Sequence, residues 1–378
     1  MPEDSRVKDR IRGCLFGGAA GDALGYPVEF LSDDDIRVQY GPEGITSYAL
    51  DPASNEALVS DDTQMTLFTA NGLLFGNTRA SLRGVGAAPS YYVAFAYRDW
   101  FWTQEHVFGE RPKDHVSWLL DVPKLYARRA PGMTCISALK ERIKSLGSEG
   151  DFISHPINNS KGCGGVMRVA PLGLMPFNRT AWESAQVAAF THGHPLGYMS
   201  ASVLAQLIHG IVRDGLDLTD ALNGALDEIV SLFDENQYLS ELLQIVDRAV
   251  ELSKNDRSDC DNIRELGEGW VAEEALAISL YCAFRHSDSF SDGIIAAVNH
   301  KGDSDSTGAI TGNILGALLG YGSIPGKWKN NLELADVILE ISDDLDHGCV
   351  LVDDFSCGKE WDEKYVYCSR WIFPAVYP

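Results

Sequence analysis

Residues 300–320 read HKGDSDSTGAITGNILGALLG, and this stretch decides the fold class. Its second half is apolar, with glycine at every fourth position: Gly308, Gly312, Gly316 and Gly320. Residues four apart lie one above another on a helix. The glycines therefore form one smooth face that a second helix can approach closely. The first half, Asp303-Ser304-Asp305-Ser306-Thr307, is rich in residues that cap helix N-termini. The spacing predicts a helix following Asp305. The apolar run Ile310–Tyr321 contains Asn313 and is too short to span a bilayer.

The same period recurs outward from this segment. Val7, Ile11, Leu15, Gly18 and Asp22 share a helical face, with Pro27 just beyond. Ser60 opens a second helix, carrying Met65, Phe68, Gly72 and Phe75. Further helices are expected at Trp182–Phe190, from Pro195 to about Ile211, at 219–233 and 238–253, and over Val271–Phe284. Few segments alternate as strands do, and neither a repeat nor a clear linker divides the chain. We expect one large all-α domain over residues 1–378. Two regions read as peripheral additions: 78–131, with Tyr91, Tyr92, Phe95, Tyr97, Trp100, Phe101 and Trp102, and the tail 343–378.

With 378 residues, 45% of them apolar, the chain can bury a large core. Its 31 basic and 54 acidic residues leave a net charge of −23, which argues against partnership with nucleic acid or an anionic membrane. The cysteines, at 14, 135, 163, 260, 282, 349, 357 and 368, form no C-x-x-C pair. They read as reduced thiols and not as a disulfide framework or zinc site. The opening MPEDSRVKDR leads into no signal-like apolar core. A soluble, cytoplasmic chain is the expectation.

Ser60-Asp61-Asp62-Thr63 places two carboxylates at another helix start. Taken singly, this cluster and Asp303-Ser304-Asp305-Ser306 could each be a helix cap. Brought together, their four carboxylates would repel unless cations neutralised them. Oxygen-only ligands select magnesium, manganese or calcium over zinc, and two such ions are a common hydrolytic device. Residues 158–168, NNSKGCGGVMR, combine small residues with backbone N–H groups that can hold phosphate, although the order is not that of a P-loop. Thr191-His192-Gly193-His194-Pro195 suits a ligand-binding or structural turn. Asp22 lies on an apolar face and needs a partner or a metal; Glu29 follows a helix end, where it can reach a cleft.

Five segments in order, GCLFGGAAGDALGYPVEF, VSDDTQM, NNSKGCGGVMRVAPLG, THGHPLGY and HKGDSDSTGAITGNILGALLG, resemble the ADP-ribosylglycohydrolase family. They frame the chain from Gly13 to Gly320. The resemblance implies an all-helical fold with a two-metal site, magnesium or manganese, in a central cleft. It assigns Ser60, Asp61 and Asp62 to one metal cluster and Asp303, Asp305 and Ser306 to the other. Glu29 matches an acidic residue near the metals. Asn159, Ser160, Gly162, Cys163, Gly164 and Gly165 fall on an ADP-ribose-binding loop, and His192 on a ligand-side histidine. Thr is the commoner residue at positions 60 and 306, and Asn at the place of Met133. The implied activity is hydrolysis of the N- or O-glycosidic bond between ADP-ribose and a protein side chain, arginine first among the candidates. The partner is then an ADP-ribosylated protein and the product ADP-ribose. Asp61, Asp62 or Glu29 is the catalytic base. The rival readings are a two-metal phosphohydrolase attacking phosphorus and a catalytically silent ADP-ribose-binding relative.

Overall fold

In a computed structural model of the chain, residues 3–84, 86–145, 151–176, 179–353 and 356–367 are described. Their helices are α1 (Glu3–Gly25), α2 (Asp33–Tyr40), α3 (Asp61–Arg83), α4 (Pro89–Glu105), α5 (Met133–Arg142), α6 (Ala170–Leu174), α7 (Thr180–Ala189), α8 (Pro195–Val212) and α9 (Leu218–Phe233). These are followed by α10 (Leu239–Leu252), α11 (Asp259–Leu266), α12 (Ala272–Arg285), α13 (Phe290–Val298), α14 (Ser304–Leu319), α15 (Gly326–Lys329), α16 (Ala335–His347) and α17 (Lys359–Tyr365). Among the described residues there is no strand, only isolated bridges. Local chemistry sets many of the starts: the side chains of Ser32, Ser60, Asp217, Ser258, Ser289 and Asp303 each accept a backbone N–H from the first turn they precede.

The glycine face of α14 packs against α1, which runs antiparallel to it. Gly13, Gly17 and Gly21 sit opposite Gly316, Gly312 and Gly308, and Gly25 sits opposite Ser304. A Cβ at any of these glycines would overlap the facing backbone, so only glycine permits the approach. Gly320 does not extend this face: it caps α14 at φ 83°. Around this pair pack the other core helices, among them α8, apolar on nearly every side. By length and composition α8 could cross a membrane, but 83% of it is buried within the chain, as expected of a core helix.

Three expectations need correction. The segment 78–131 is not set apart: α3 runs into it, and α4 buries Tyr92, Phe95, Tyr97 and Trp100 against the body. Gly72 lets the two helices meet, since a Cβ there would lie 2.7 Å from the Val93 Cα. Phe101 and Trp102 are only half-buried. In the tail, α17 is likewise docked: its Trp361 indole donates to Thr78 at 2.9 Å, while 354–355 and 368–378, with Cys368, lie outside the described residues. Nor are all thiols free, because Cys349 and Cys357 form a disulfide across a short loop, their Cα atoms 6.2 Å apart.

Candidate active site

The site is assembled where α1 ends. Asp22, fully buried in the last turns of α1, needs no metal: its carboxylate accepts the Ser60 N–H at 3.0 Å, the Thr63 N–H at 3.1 Å and the Thr63 hydroxyl at 2.5 Å. These are orphan donors of the α3 N-terminus, so Asp22 ties the start of α3 to the end of α1. Three residues on, Gly25 abuts the backbone of Ser304 and Asp305 at the start of α14. The chain then turns through Tyr26–Val28, with Pro27 in the first turn, and delivers Glu29. One residue thus fixes α3, the next contact fixes α14, and the turn between them aims a third carboxylate at both.

Both Asp clusters therefore open into one cleft of about 210 Å³, lined by Glu29, Asp61, Asp62, Asp303, Asp305 and Ser306 on one side. Carboxylate oxygens of Glu29, Asp303 and Asp305 all lie within 4.8 Å of one another. Asp62 is within reach of the Ser306 hydroxyl, and Asp61 accepts the Gly132 N–H at 3.3 Å. The lining continues through Gly162, Cys163, Gly164 and His192, which form its second wall, and Met133 and Trp270 are among the residues beside them. The Cys163 thiol donates to Asp303 and so links the two walls. Four candidates stand back from the cleft. Ser60 is buried behind it as the α3 cap, its hydroxyl accepting the Asp62 N–H. Asn159 is exposed, Ser160 receives the Gly162 N–H at 3.3 Å, and Gly165 faces Ala188.

No Lys or Arg is among the described residues that line the cleft. Burial, reinforced by Asp303 and Asp61, pushes the Glu29 carboxyl up to about 8. Burial likewise pushes Asp61 up to about 8, although the Gly132 N–H opposes the shift. Asp62 and Asp305 are held well above the usual carboxylate range by burial and by their like-charged neighbours. Glu29 Oε2 and Asp62 Oδ2 are buried without a hydrogen-bond partner among the described residues. Such oxygens are costly unless something binds them. An all-oxygen set that lacks a protein cation fits a hard divalent ion.

Sequence reasoning passed over Trp270 and Gly132. Trp270 stands between Gly269 and the apolar run of α12, and its ring stacks on the exposed Phe30 with centroids 5.7 Å apart at the cleft rim. A large aromatic just before a buried helix was the signal available. Gly132 acts through its N–H alone, and side-chain chemistry cannot reveal that.

The ADP-ribosylglycohydrolase family model matches residues 3–354. The ADP-ribosyl-[dinitrogen reductase] glycohydrolase of Rhodospirillum rubrum is 25% identical over 87% of this chain and 92% of its own. The ADP-ribosylarginine hydrolase Tri1 of Serratia proteamaculans is 25% identical over 91% of this chain and 81% of its own. A solved structure of an ADP-ribosylglycohydrolase-related protein complex superposes with a TM-score of 0.63 at 24% identity, covering 92% of this chain and all of that one, and so shares its fold. The chain belongs to the ADP-ribosylglycohydrolase family and is a glycosidic-bond hydrolase of ADP-ribose linkages.

Proposed function

We propose that the chain removes ADP-ribose from arginine side chains of modified proteins, using two divalent cations, magnesium or manganese. The carrying observation is the pair of buried, unpartnered oxygens on Glu29 and Asp62 beside Asp303 and Asp305, facing a wall of glycines. The names of the Rhodospirillum and Serratia relatives support a protein-linked substrate, and the second supports arginine. In this reading Asp61 and Asp62 hold one ion, with Ser60 behind them as the helix cap, Asp303, Asp305 and Ser306 hold the other, and Glu29 lies between them. Bound there, the ions would offset the clustered negative charge, hold sugar hydroxyls and make a water more acidic.

The rest of the work falls to the chain. The loop meets the pyrophosphate at Gly164, where the absence of a side chain allows close approach; the N–H groups of Ser160, Gly162 and Cys163 are already taken by Asn158, Ser160 and Trp270 and hold the loop in shape. The carboxylate wall faces the ribose carbon, where cleavage develops oxocarbenium character that negative charge stabilises. Asp61, Asp62 or Glu29 takes the proton from the attacking water, and burial keeps other water out.

The test is incubation with arginine- and with serine-ADP-ribosylated proteins, with and without magnesium, followed by product analysis. Free ADP-ribose released from the arginine substrate only when magnesium is present is the expected result. AMP as the product would mean attack on phosphorus, and release from serine alone would overturn the arginine assignment.

A further inference from the structure

Arg168 is fully buried, yet every hydrogen bond its guanidinium makes among the described residues goes to a neutral group. Its guanidinium sits over the Tyr97 ring, 4.4 Å from the centroid. It donates to the sulfur atoms of Met65 and Cys135 and to the Val187 carbonyl. Its shortest bond, 2.5 Å, goes to the Thr191 hydroxyl. That hydroxyl is in turn 2.9 Å from Nδ1 of the neighbouring His192. The other histidine of this turn does something simpler: His194 Nδ1 accepts the Leu196 N–H and caps α8.

The direction of this chain of bonds follows from what each group can do. A guanidinium has donors and no acceptor, so Thr191 must accept from it. The hydroxyl keeps one hydrogen, and His192 Nδ1 is the acceptor within reach of it among the described residues. Nδ1 therefore carries no proton, and a neutral imidazole must bear its proton on Nε2. Burial and the Arg168 charge lower the His192 pKa to about 3, so the ring is neutral at ordinary pH. The Nε2 edge faces Gly162 and Gly164, where a Cβ would come within 3.3 and 3.4 Å of it. His192 lines the cleft, and its Nε2 makes no hydrogen bond among the described residues.

We infer that Arg168 acts through Thr191 as a positioning residue: it locks His192 in the Nε2–H tautomer, so that the ring presents a fixed N–H donor to an anionic or hydroxyl oxygen of the bound nucleotide-sugar. The donor's ligand rests on the proposed function; the placement of the proton does not. Arg168 is the distant end of the device, the absence of side chains at Gly162 and Gly164 keeps the near end open, and Thr191 supplies the coupling.

The test uses the full chain with ¹⁵N-labelled histidine, the His192 signals being assigned with His192→Gln. At neutral pH and without ligand, His192 should show a protonated Nε2 and a bare Nδ1. Thr191→Val, which removes the hydroxyl, should lose this pattern, and Thr191→Ser should restore it. ADP-ribose affinity, measured by calorimetry with magnesium, should fall about tenfold in Thr191→Val and stay within about twofold in Thr191→Ser. KM should rise with kcat little changed. A protonated Nδ1 in the unaltered protein overturns the inference whatever the activity. An altered tautomer with unchanged ADP-ribose affinity overturns the role assigned to the N–H. If the unaltered protein shows the expected tautomer but does not bind ADP-ribose, the relay stands and the functional reading above fails.

Discussion

The carboxylate wall of the cleft and its glycine wall differ in how their polar atoms are satisfied. On the carboxylate side, like charges crowd together, burial raises their pKa values, and Glu29 and Asp62 each leave an oxygen unpartnered. On the glycine side, the polar groups are mostly chained to one another, Arg168 to Thr191, Thr191 to His192 and Ser160 to Gly162, and His192 Nε2 is left open toward the cleft. The first wall is unfavourable until cations arrive, whereas the second gathers no like charges and needs none. It follows that substitutions on the two walls should both impair function but differ in stability: removing a carboxylate relieves repulsion, whereas filling a glycine position adds crowding.

The largest contrast is expected from Asp62→Ala and Asp305→Ala. Each should cut ADP-ribose release by about a thousandfold or more, since a missing ligand removes charge stabilisation and water activation together. In chelator the melting temperature should hold or rise, because one buried repulsion is gone. A loss of melting temperature with activity retained would mark these residues as helix caps and erase the contrast. Next comes Gly312→Ala, behind the carboxylate wall, which forces a methyl into the Gly17 carbonyl. It should destabilise the fold by about 2–3 kcal/mol in a denaturant titration. It should also weaken divalent-cation binding, because the α1–α14 contact sets where Glu29 meets Asp305.

On the other wall, Gly164→Val should weaken ADP-ribose binding about tenfold or more and lower the melting temperature by a few degrees, leaving the chain folded. Its side chain enters the cleft beside His192 and Cys135, where a Cβ alone already comes within 3.0 Å of neighbours. Unchanged affinity would show that the loop does not touch the ligand. The smallest effect concerns pH. Glu29 and Asp61 stand near 8 when folded and near 4 when unfolded, so the folded chain holds more protons between those values. Their contribution to stability is complete below about pH 4 and is lost as pH rises through about 8. The chelated protein should therefore melt a few degrees lower at about pH 8.5 than at about pH 5.5. Glu29→Gln should flatten that slope, and magnesium should remove most of it; an equal slope in Glu29→Gln would place its origin elsewhere.

What was legible in the sequence was mostly local. A capping residue announces itself beside the helix it caps, so Ser60 and the 303–305 cluster marked the starts of α3 and α14 directly. The glycines of α14 declared a close approach but not the partner. On α1 the apolar period drew attention to Leu15 and Gly18, while the contact face carries Gly13, Gly17, Gly21 and Gly25. Asp22 was legible as a problem and not as an answer, since its donors lie 38 and 41 residues away on the backbone of α3. The aromatic segment 91–102 was misplaced because its rings occur on all sides of α4, and nothing local shows which side meets Gly72. Arg168 and Thr191 stood within quoted motifs, but a relay exists only once the two meet in space.

The contact between α1 and α14 also dictates an order of events during synthesis. The first helix leaves the ribosome with a face that residues 304–321 chiefly complement, and nearly three hundred residues separate the two. At ordinary elongation rates that interval lasts roughly a quarter of a minute to one minute. Through that time the nascent helix displays mainly backbone along this stripe, a surface with few side chains to adhere to the wrong neighbour. Because Glu29 reaches Asp305 only when the two helices close, no fragment released early would carry the complete carboxylate wall, and the capacity to capture its cations would arise among the last events of folding.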